Sequence, residues 1–277
     1  MQILLANAKI MNGRTERLPW TEPRFQSIAN RIALDMAGMD IDKLEKELDC
    51  SRALAAENWQ RYQNFFTAEK MPAIMAYNGQ AYKHLKASTL DDNALHFAQD
   101  HLWITCFLYG LLRPMDGVVP YRMEHCVHLP SAENTPVNKF WRDTLTDVLI
   151  ESAKRDDGIL LHLSTEEYEH LFDWKRVCNE VTVVHPLFYV RQKNGSLKMQ
   201  AVWAKSCRGA MLRFILTNRL VSPNGLCDFS YEGFKFAPQL GEPAWPHFVR
   251  ECNNQNKRLV SLILSTGNTE NLSMMST

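Results

Sequence analysis

Basic residues are concentrated in residues 171–220, a segment with nine Lys or Arg and only two acids. Within it, Lys205 and Arg208 precede Gly209 at the point where a predicted strand passes into a predicted helix. The first turn of a helix leaves N–H groups unpaired and carries partial positive charge. The junction therefore predicts an anion site with phosphate as its natural ligand. The alternative is that single arginines such as Arg213 only pair with acidic helices elsewhere in the chain.

A second candidate site is a loop bounded by two prolines, which holds Arg113, Asp116, Arg122 and Glu124. Loops of this kind display functional groups from a rigid base. In the functional interpretation, the arginines bind a phosphate or carboxylate, while the acids orient them or act as acid or base. In the alternative, the loop satisfies its own charges, since Arg113 and Asp116 lie three residues apart across a turn.

The remaining motifs disfavour metal binding and several catalytic classes. His125 and His128 lie beside Glu124, but no further His or Cys follows at a recognisable ligand spacing, so no metal site is predicted. The seven cysteines are scattered and form no CxxC pair, which predicts reduced thiols. No GxGxxG, GxxxxGK[ST], GxSxG or HExxH motif occurs, so dehydrogenase, P-loop and common hydrolase functions are unsupported and no cofactor is predicted.

Length and composition predict one globular domain in the cytosol. The chain has 277 residues, no net charge and 45% hydrophobic residues, enough to bury a core without disulfides or metals. The longest apolar stretch, residues 102–112, is too short to span a bilayer, and no secretory signal is visible. Because the whole chain is neutral, any binding of nucleic acid has to come from a local patch.

The elements that position these groups follow from periodicity and turn residues. Apolar residues at helical spacing predict helices within residues 22–66, and a helix capped at Asp91 or Asp92 that continues to Arg113. Asn194-Gly195 predicts a hairpin turn, because both residues tolerate positive φ. Strands are predicted at residues 2–6, 159–163, 181–190 and 197–204, all in one mixed sheet.

These elements predict an α+β fold in a single domain spanning residues 1–277. Helices are expected over about 22–112, and the β-rich region over about 158–236. In this arrangement Lys9 and Lys205 lie at neighbouring strand ends.

Several further motifs occur in order along almost the whole chain. They include Ala8-Lys9, residues 77–85 (YNGQAYKHL), Pro120-Tyr-Arg122-Met-Glu124, residues 163–168 (LSTEEY), Asn218-Arg219 and Tyr231-Glu-Gly-Phe234. The specific ones are LYGLLRP at residues 108–114 and AKSCRGAMLRF at residues 204–214. On these motifs, the sequence resembles the YaaA family of bacterial peroxide stress proteins.

The resemblance implies an α+β domain with a positively charged cleft and a helix-hairpin-helix-like element at about residues 41–62. It also implies DNA binding and protection against peroxide by limiting damage from free iron. Two positions depart from the family pattern. Ala6-Asn7 stands where the family usually has Ser-Pro, and His162 stands where the family has Asn.

Two function hypotheses remain. The first is a DNA-binding stress protein that contacts mainly the phosphate backbone, and the second is an enzyme acting on a nucleotide or nucleic acid in the same pocket. The second stays open because the shared motifs contain carboxylates, which a pure backbone binder does not need. The predicted phosphate-binding residues are Lys9, Arg113, Arg122, Lys205, Arg208 and Arg213. The candidate catalytic residues are Asp116, Glu124, Glu167 and Tyr168.

Overall fold

The chain combines helices with sheets that contain both parallel and antiparallel strand pairs, which confirms the α+β prediction. The structure, a computed structural model, describes residues 1–13 and 18–251, and Cys252 lies outside them. The strands are β1 (Gln2–Ala6), β2 (Met71–Pro72), β3 (Leu102–Cys106), β4 (Gly110–Leu112), β5 (Gly117–Val118), β6 (His128–Leu129), β7 (Thr135–Pro136), β8 (Ile159–His162), β9 (Thr182–Val184), β10 (Leu187–Arg191), β11 (Leu197–Lys198), β12 (Ser230–Tyr231), β13 (Phe234–Glu242) and β14 (Trp245–Glu251). The helices are α1 (Gln26–Ala37), α2 (Ile41–Glu47), α3 (Arg52–Gln63), α4 (Ala73–Ala76), α5 (Gln80–Leu85), α6 (Asp92–His101), α7 (Val137–Arg155), α8 (Glu166–Glu169), α9 (Trp174–Glu180) and α10 (Ala201–Asn218).

Strand β1 lies at the centre of the first sheet, whose strand order is β4-β3-β1-β8-β9. It pairs in parallel with β3 and β8, and β9 continues in parallel beside β8. Ile3, Leu4 and Leu5 are almost fully buried, which is typical of a parallel strand covered on both faces. The four parallel strands therefore end at one edge of the sheet, which we call the carboxyl edge. Residues that follow Ala6 and His162 along the chain emerge there.

The second sheet has the order β11-β10-β14-β13-β12, so the prediction of one sheet is wrong. The predicted strand over 181–190 is divided at Pro186, with β9 in the first sheet and β10 in the second.

The hairpin prediction is confirmed, since β10 and β11 pair in antiparallel fashion and Gly195 has a φ of 83°. The prediction of a strand through residue 204 is wrong, because Ala204, Cys207 and Met211 have helical spacing and are buried on one side of α10.

The helix predicted from Asp92 to Arg113 is confirmed only in its first half. The Asp91 carboxylate accepts a hydrogen bond of 2.7 Å from the N–H of Ala94, and α6 ends at His101. The buried residues that follow form β3 and β4, which pair in antiparallel fashion. A short, wholly apolar run has no periodicity that separates a buried strand from a buried helix. The aromatic and β-branched residues of β3 favour the strand.

The prediction of helices within residues 22–66 is confirmed by α1, α2 and α3. Helices α2 and α3 pack against each other across a short turn, where Asp49 has a φ of 42°. This helical pair occupies the segment in which the resemblance implies a helix-hairpin-helix-like element. Within the described residues, no helix combines the length and apolar character needed to cross a lipid bilayer.

Helix α10 packs closely on α5, and Gly209 makes this approach possible. A Cβ added at Gly209 would lie 1.8 Å from the carbonyl oxygen of Ala81. One turn away, the amide of Gln80 donates a hydrogen bond of 2.9 Å to Ser206 Oγ. The contact fixes the two helices beside the carboxyl edge of the first sheet.

Candidate functional site

A cavity of about 560 Å³, which we call the cleft, opens at the carboxyl edge of the first sheet. Ligands of open α/β sheets bind at this edge, because the loops after parallel strands converge there. The cleft is lined by residues 5–10 at and after the end of β1, residues 79–82 at the start of α5, Leu163 and residues 165–168 after β8, and Lys205 and Arg208 of α10. Three cations, Lys9, Lys205 and Arg208, therefore share one cavity.

Lys205 and Arg208 lie inside α10 rather than before it. The helix begins at Ala201, so the prediction that these residues form a turn at a helix N-terminus is wrong. Because they are three residues apart, their side chains leave the same face of the helix. The prediction that Lys9 and Lys205 lie at neighbouring strand ends is wrong, because Lys205 belongs to α10, although both residues line the cleft.

Arg208 is a largely buried cation without a carboxylate partner among the described residues. Its Nε atom is buried and has no hydrogen-bond partner. Burial lowers the pKa of its guanidinium. A buried charge is costly unless it is paired. An anion in the cleft would supply the missing partner.

Glu124 links two cations at the rim of the cleft. Its carboxylate accepts a 2.6 Å hydrogen bond from Lys9 Nζ and lies 2.8 Å from Arg122 Nη2. The Glu124 side chain is only 8% exposed, whereas that of Lys9 is 44% exposed. Glu124 therefore neutralises part of the charge that Lys9 brings to the cleft, and Arg122 is connected to the cleft through Glu124.

Tyr168 belongs to a buried chain of polar groups behind the cleft. Its hydroxyl donates to Asn7 Oδ1, and Asn7 Nδ2 donates a 3.0 Å hydrogen bond to the hydroxyl of Tyr121. The hydroxyls of Tyr121 and Tyr77 lie 2.9 Å apart. Burial raises the pKa of all three phenols well above the usual value, so they act as neutral hydrogen-bonding groups. Asn7, one of the departures from the family pattern, connects β1 to this chain.

Glu167 is the candidate catalytic residue most accessible from the cleft. It lines the cavity, and its side chain is 38% exposed. Its Oε1 atom lies 3.9 Å from Nδ1 of His125, too far for a direct hydrogen bond. His128 contacts Glu47 instead, at 3.2 Å, so His125 and His128 face different partners.

Arg113 and Asp116 lie away from the cleft, at the opposite edge of the first sheet. The Arg113 guanidinium is 3.4 Å from the ring centroid of Trp103 and donates a 3.1 Å hydrogen bond to the carbonyl of Leu102. Burial lowers its pKa to about 10. Asp116 accepts hydrogen bonds of 2.8 Å from the Arg113 N–H and from the Thr21 hydroxyl. The side chains of Arg113 and Asp116 therefore do not form the ion pair that the alternative interpretation predicted, since the guanidinium contacts residues outside the loop and Asp116 is satisfied by a backbone N–H and a hydroxyl.

Arg213 also lies outside the cleft and holds the end of α5. Its Nη1 atom donates to the carbonyls of Leu85 and Lys86, at 3.0 and 3.1 Å, and to Thr89 Oγ1 at 2.8 Å. Carbonyl groups at a helix C-terminus lack partners within the helix, so Arg213 caps them. Of the six predicted phosphate-binding residues, the structure thus brings Lys9, Lys205 and Arg208 into one cavity.

Sequence reasoning missed a cluster of His162, Glu169 and His185 at the same edge. His162 Nε2 lies 2.8 Å from Glu169 Oε1, and the two imidazole rings are 4.4 Å apart between centroids. Burial lowers the pKa of both histidines, that of His185 to about 3, and the charge of Arg208 acts in the same direction. The available signal was that two β-rich runs, residues 158–163 and 181–185, each have a histidine at or next to the last position.

Four thiols in the described part of the chain lack the properties of a peroxide-reducing cysteine. Burial raises the pKa of Cys106 to about 11 and that of Cys207 to about 12. The pKa values of Cys50 and Cys126 are also raised, again mainly by burial. Because the thiolate is the reactive form, these four residues are poor nucleophiles at neutral pH.

Comparison with known proteins assigns the chain to a family. The family described as peroxide stress protein YaaA matches residues 1–240. The chain belongs to the YaaA family. It is 43% identical over 246 residues to a UPF0246 protein of Bacteroides thetaiotaomicron, covering 87% of this chain and 95% of the relative. It is 42% identical over 257 residues to a UPF0246 protein of Porphyromonas gingivalis, covering 91% and 100%. A UPF0246 protein of Roseobacter denitrificans is 32% identical over 256 residues, covering 90% and 98%. Membership in the YaaA family supports a role in peroxide stress.

Proposed function

We propose that this YaaA family member acts in the cytoplasm during peroxide stress by binding DNA through a backbone phosphate held in the cleft. Lys9, Lys205 and Arg208 supply the positive charge. Arg208 carries the proposal, because a largely buried guanidinium without a carboxylate partner among the described residues needs an anion. Covering the bound strand would limit iron-dependent oxidative damage to it.

The dimensions of the cleft favour one nucleotide unit of a single strand or a strand end over a long stretch of duplex. A cavity of about 560 Å³ has the volume of a small-molecule site. It contains three cations, fewer than the number of phosphate contacts made by proteins that bind along a duplex. Contacts to phosphate position a nucleic acid without reading its bases. Binding is therefore expected to show little sequence preference.

We expect Lys205→Ala to weaken DNA binding about tenfold without changing stability, because an exposed lysine that contacts phosphate contributes about 1.5 kcal/mol or more. The measurement is fluorescence anisotropy with a labelled single-stranded oligonucleotide. Lys193→Ala, in the exposed turn after β10, is the matched control and should bind as tightly as the unaltered protein. Equal affinity of the two variants would contradict the proposal.

The alternative function is an enzyme that acts on a nucleotide or nucleic acid in the same cleft. It is favoured by one observation, the position of the accessible Glu167 carboxylate in a cavity that also holds the phosphate-binding cations. In this function Glu167 would act as acid or base, and Glu124 would orient Lys9 and Arg122.

The variant Glu124→Gln separates the two functions. For a binding protein, we expect it to raise DNA affinity severalfold, because it removes the negative charge that neutralises Lys9 and Arg122. Anisotropy measures this effect, and survival of cells challenged with hydrogen peroxide measures the function. For an enzyme, Glu124→Gln and Glu167→Gln should both abolish protection, whereas the control Glu151→Gln, at an exposed position of α7 outside the cleft, should not. Full protection by Glu124→Gln and Glu167→Gln would exclude the enzyme.

A further inference from the structure

We propose that His162, Glu169 and His185 form a binding site for a divalent transition-metal ion. The site lies at the carboxyl edge of the first sheet, next to Arg208 of the cleft. One side chain closes β8, one follows β9, and the third comes from α8, so neighbouring strand ends bring the three together. The proposal does not depend on DNA binding.

The three side chains place ligand atoms close together, and each imidazole has one nitrogen without a hydrogen-bond partner. One ligand atom from each of the three residues lies within 4.8 Å of the other two. His162 is 1% exposed, yet its Nδ1 atom has no hydrogen-bond partner, and the buried Nε2 atom of His185 has none either. Buried polar groups in folded proteins are usually paired. His162 contacts Glu169 through Nε2 at 2.8 Å, and each imidazole also has one buried nitrogen without a partner. Two imidazoles and a carboxylate close together, with buried nitrogens left unpaired, therefore point to a ligand that accepts electron pairs.

The chemistry of the donors selects the class of metal. Two imidazoles and one carboxylate suit zinc or iron(II), whereas magnesium and calcium prefer oxygen ligands only. Metal–ligand distances of about 2.0–2.2 Å place the donors of a tetrahedral site about 3.4 Å apart, so the ligand atoms, which lie within 4.8 Å of one another here, have to shift when an ion binds. His185 is only partly buried and can make this adjustment. Three protein ligands leave a coordination position for water or a substrate oxygen.

Two neighbours affect the affinity and access of the site. The charge of Arg208 acts on both imidazoles and opposes a cation, so the carboxylate of Glu169 is needed to balance it. The ring of His185 lies 5.2 Å from that of Trp245, whose side chain is 45% exposed. Metal can therefore enter from the side of Trp245.

The experiment is a titration of the metal-free full-length protein with cobalt(II), followed by visible absorption, with zinc(II) as competitor. We expect one cobalt ion per chain, displaced by zinc. His162→Asn, Glu169→Gln and His185→Gln should each weaken cobalt binding at least tenfold. His170→Gln, an exposed histidine next to Glu169, is the matched control and should bind like the unaltered protein.

Thermal unfolding without metal shows which variants fold. Glu169→Gln changes a partly exposed side chain without changing its shape, so this variant is expected to fold even if a variant of the buried His162 does not. The proposal would be overturned if the unaltered protein bound no cobalt. It would also be overturned if the folded variants bound cobalt as tightly as the His170→Gln control. Lys205→Ala should retain cobalt binding even where it loses DNA, which keeps a failure of this site distinct from a failure of the cleft.

Discussion

Gly209→Ala is expected to lower the free energy of unfolding by about 3 kcal/mol, the largest effect expected for a methyl group added at a described glycine. The new Cβ would meet the carbonyl oxygen of Ala81 at 1.8 Å, and neither backbone can yield without separating α5 from α10. The same separation would break the contact between Gln80 and Ser206 beside the cleft. Urea unfolding measures the change.

Gly38→Ala is the matched control for this substitution. Gly38 follows α1 with a φ of −77°, and a Cβ there would lie 3.5 Å from the carbonyl oxygen of Leu34, an ordinary contact distance. The control should be neutral or more stable by about 0.4–1 kcal/mol, because alanine reduces the entropy of the unfolded chain. If Gly209→Ala were as stable as Gly38→Ala, the close packing of α10 on α5 would be incorrect.

Arg208→Ala is expected to weaken DNA binding about tenfold to a hundredfold without lowering stability. A charge-assisted hydrogen bond to phosphate contributes about 1.5–3 kcal/mol, and this bond would be lost. The folded variant loses no ion pair between described residues, and it no longer buries an unpaired cation, so its stability is not lowered. Anisotropy and urea unfolding of the same variant measure both quantities.

A scaffold role for Arg208 predicts the opposite result. Truncating one partner of a buried ion pair costs about 3–5 kcal/mol, so a scaffold arginine would lower stability and leave DNA affinity unchanged. Arg208→Lys provides the control, because it keeps the charge while removing the planar fork that binds phosphate in two places. Intermediate affinity is expected for this variant. A stability loss of several kcal/mol with unchanged affinity would assign Arg208 to the scaffold.

Local sequence signals predicted those helices and turns that are determined by residues adjacent in the chain. The hairpin around Gly195 and the helix capped by Asp91 follow from turn and capping residues, and both are confirmed. Residues 102–112 could not be assigned in this way, because a wholly buried run has no polar face to reveal its period. The pairing of β10 with β14 could not be predicted from local signals either, because β14 lies more than 50 residues later in the chain.

The site was predictable only in part for a related reason. Spacing and charge identified Lys205 and Arg208 as neighbours, and the structure places both in the cleft. Arg113 has the same residue type, but its stacking on Trp103 depends on tertiary packing that sequence spacing does not contain. The cluster of His162 and His185 was missed because its members meet across parallel strands.

The dependence of DNA affinity on salt concentration tests the central claim most directly. Each phosphate contact contributes about −0.7 for a single strand to the slope of log affinity against log salt. Lys9, Lys205 and Arg208 together therefore predict a slope of about −2 for the unaltered protein with a single-stranded oligonucleotide. A slope near zero, or no measurable binding at low salt, would contradict the phosphate-binding cleft. A slope of about −4 would contradict the restriction of binding to these three cations.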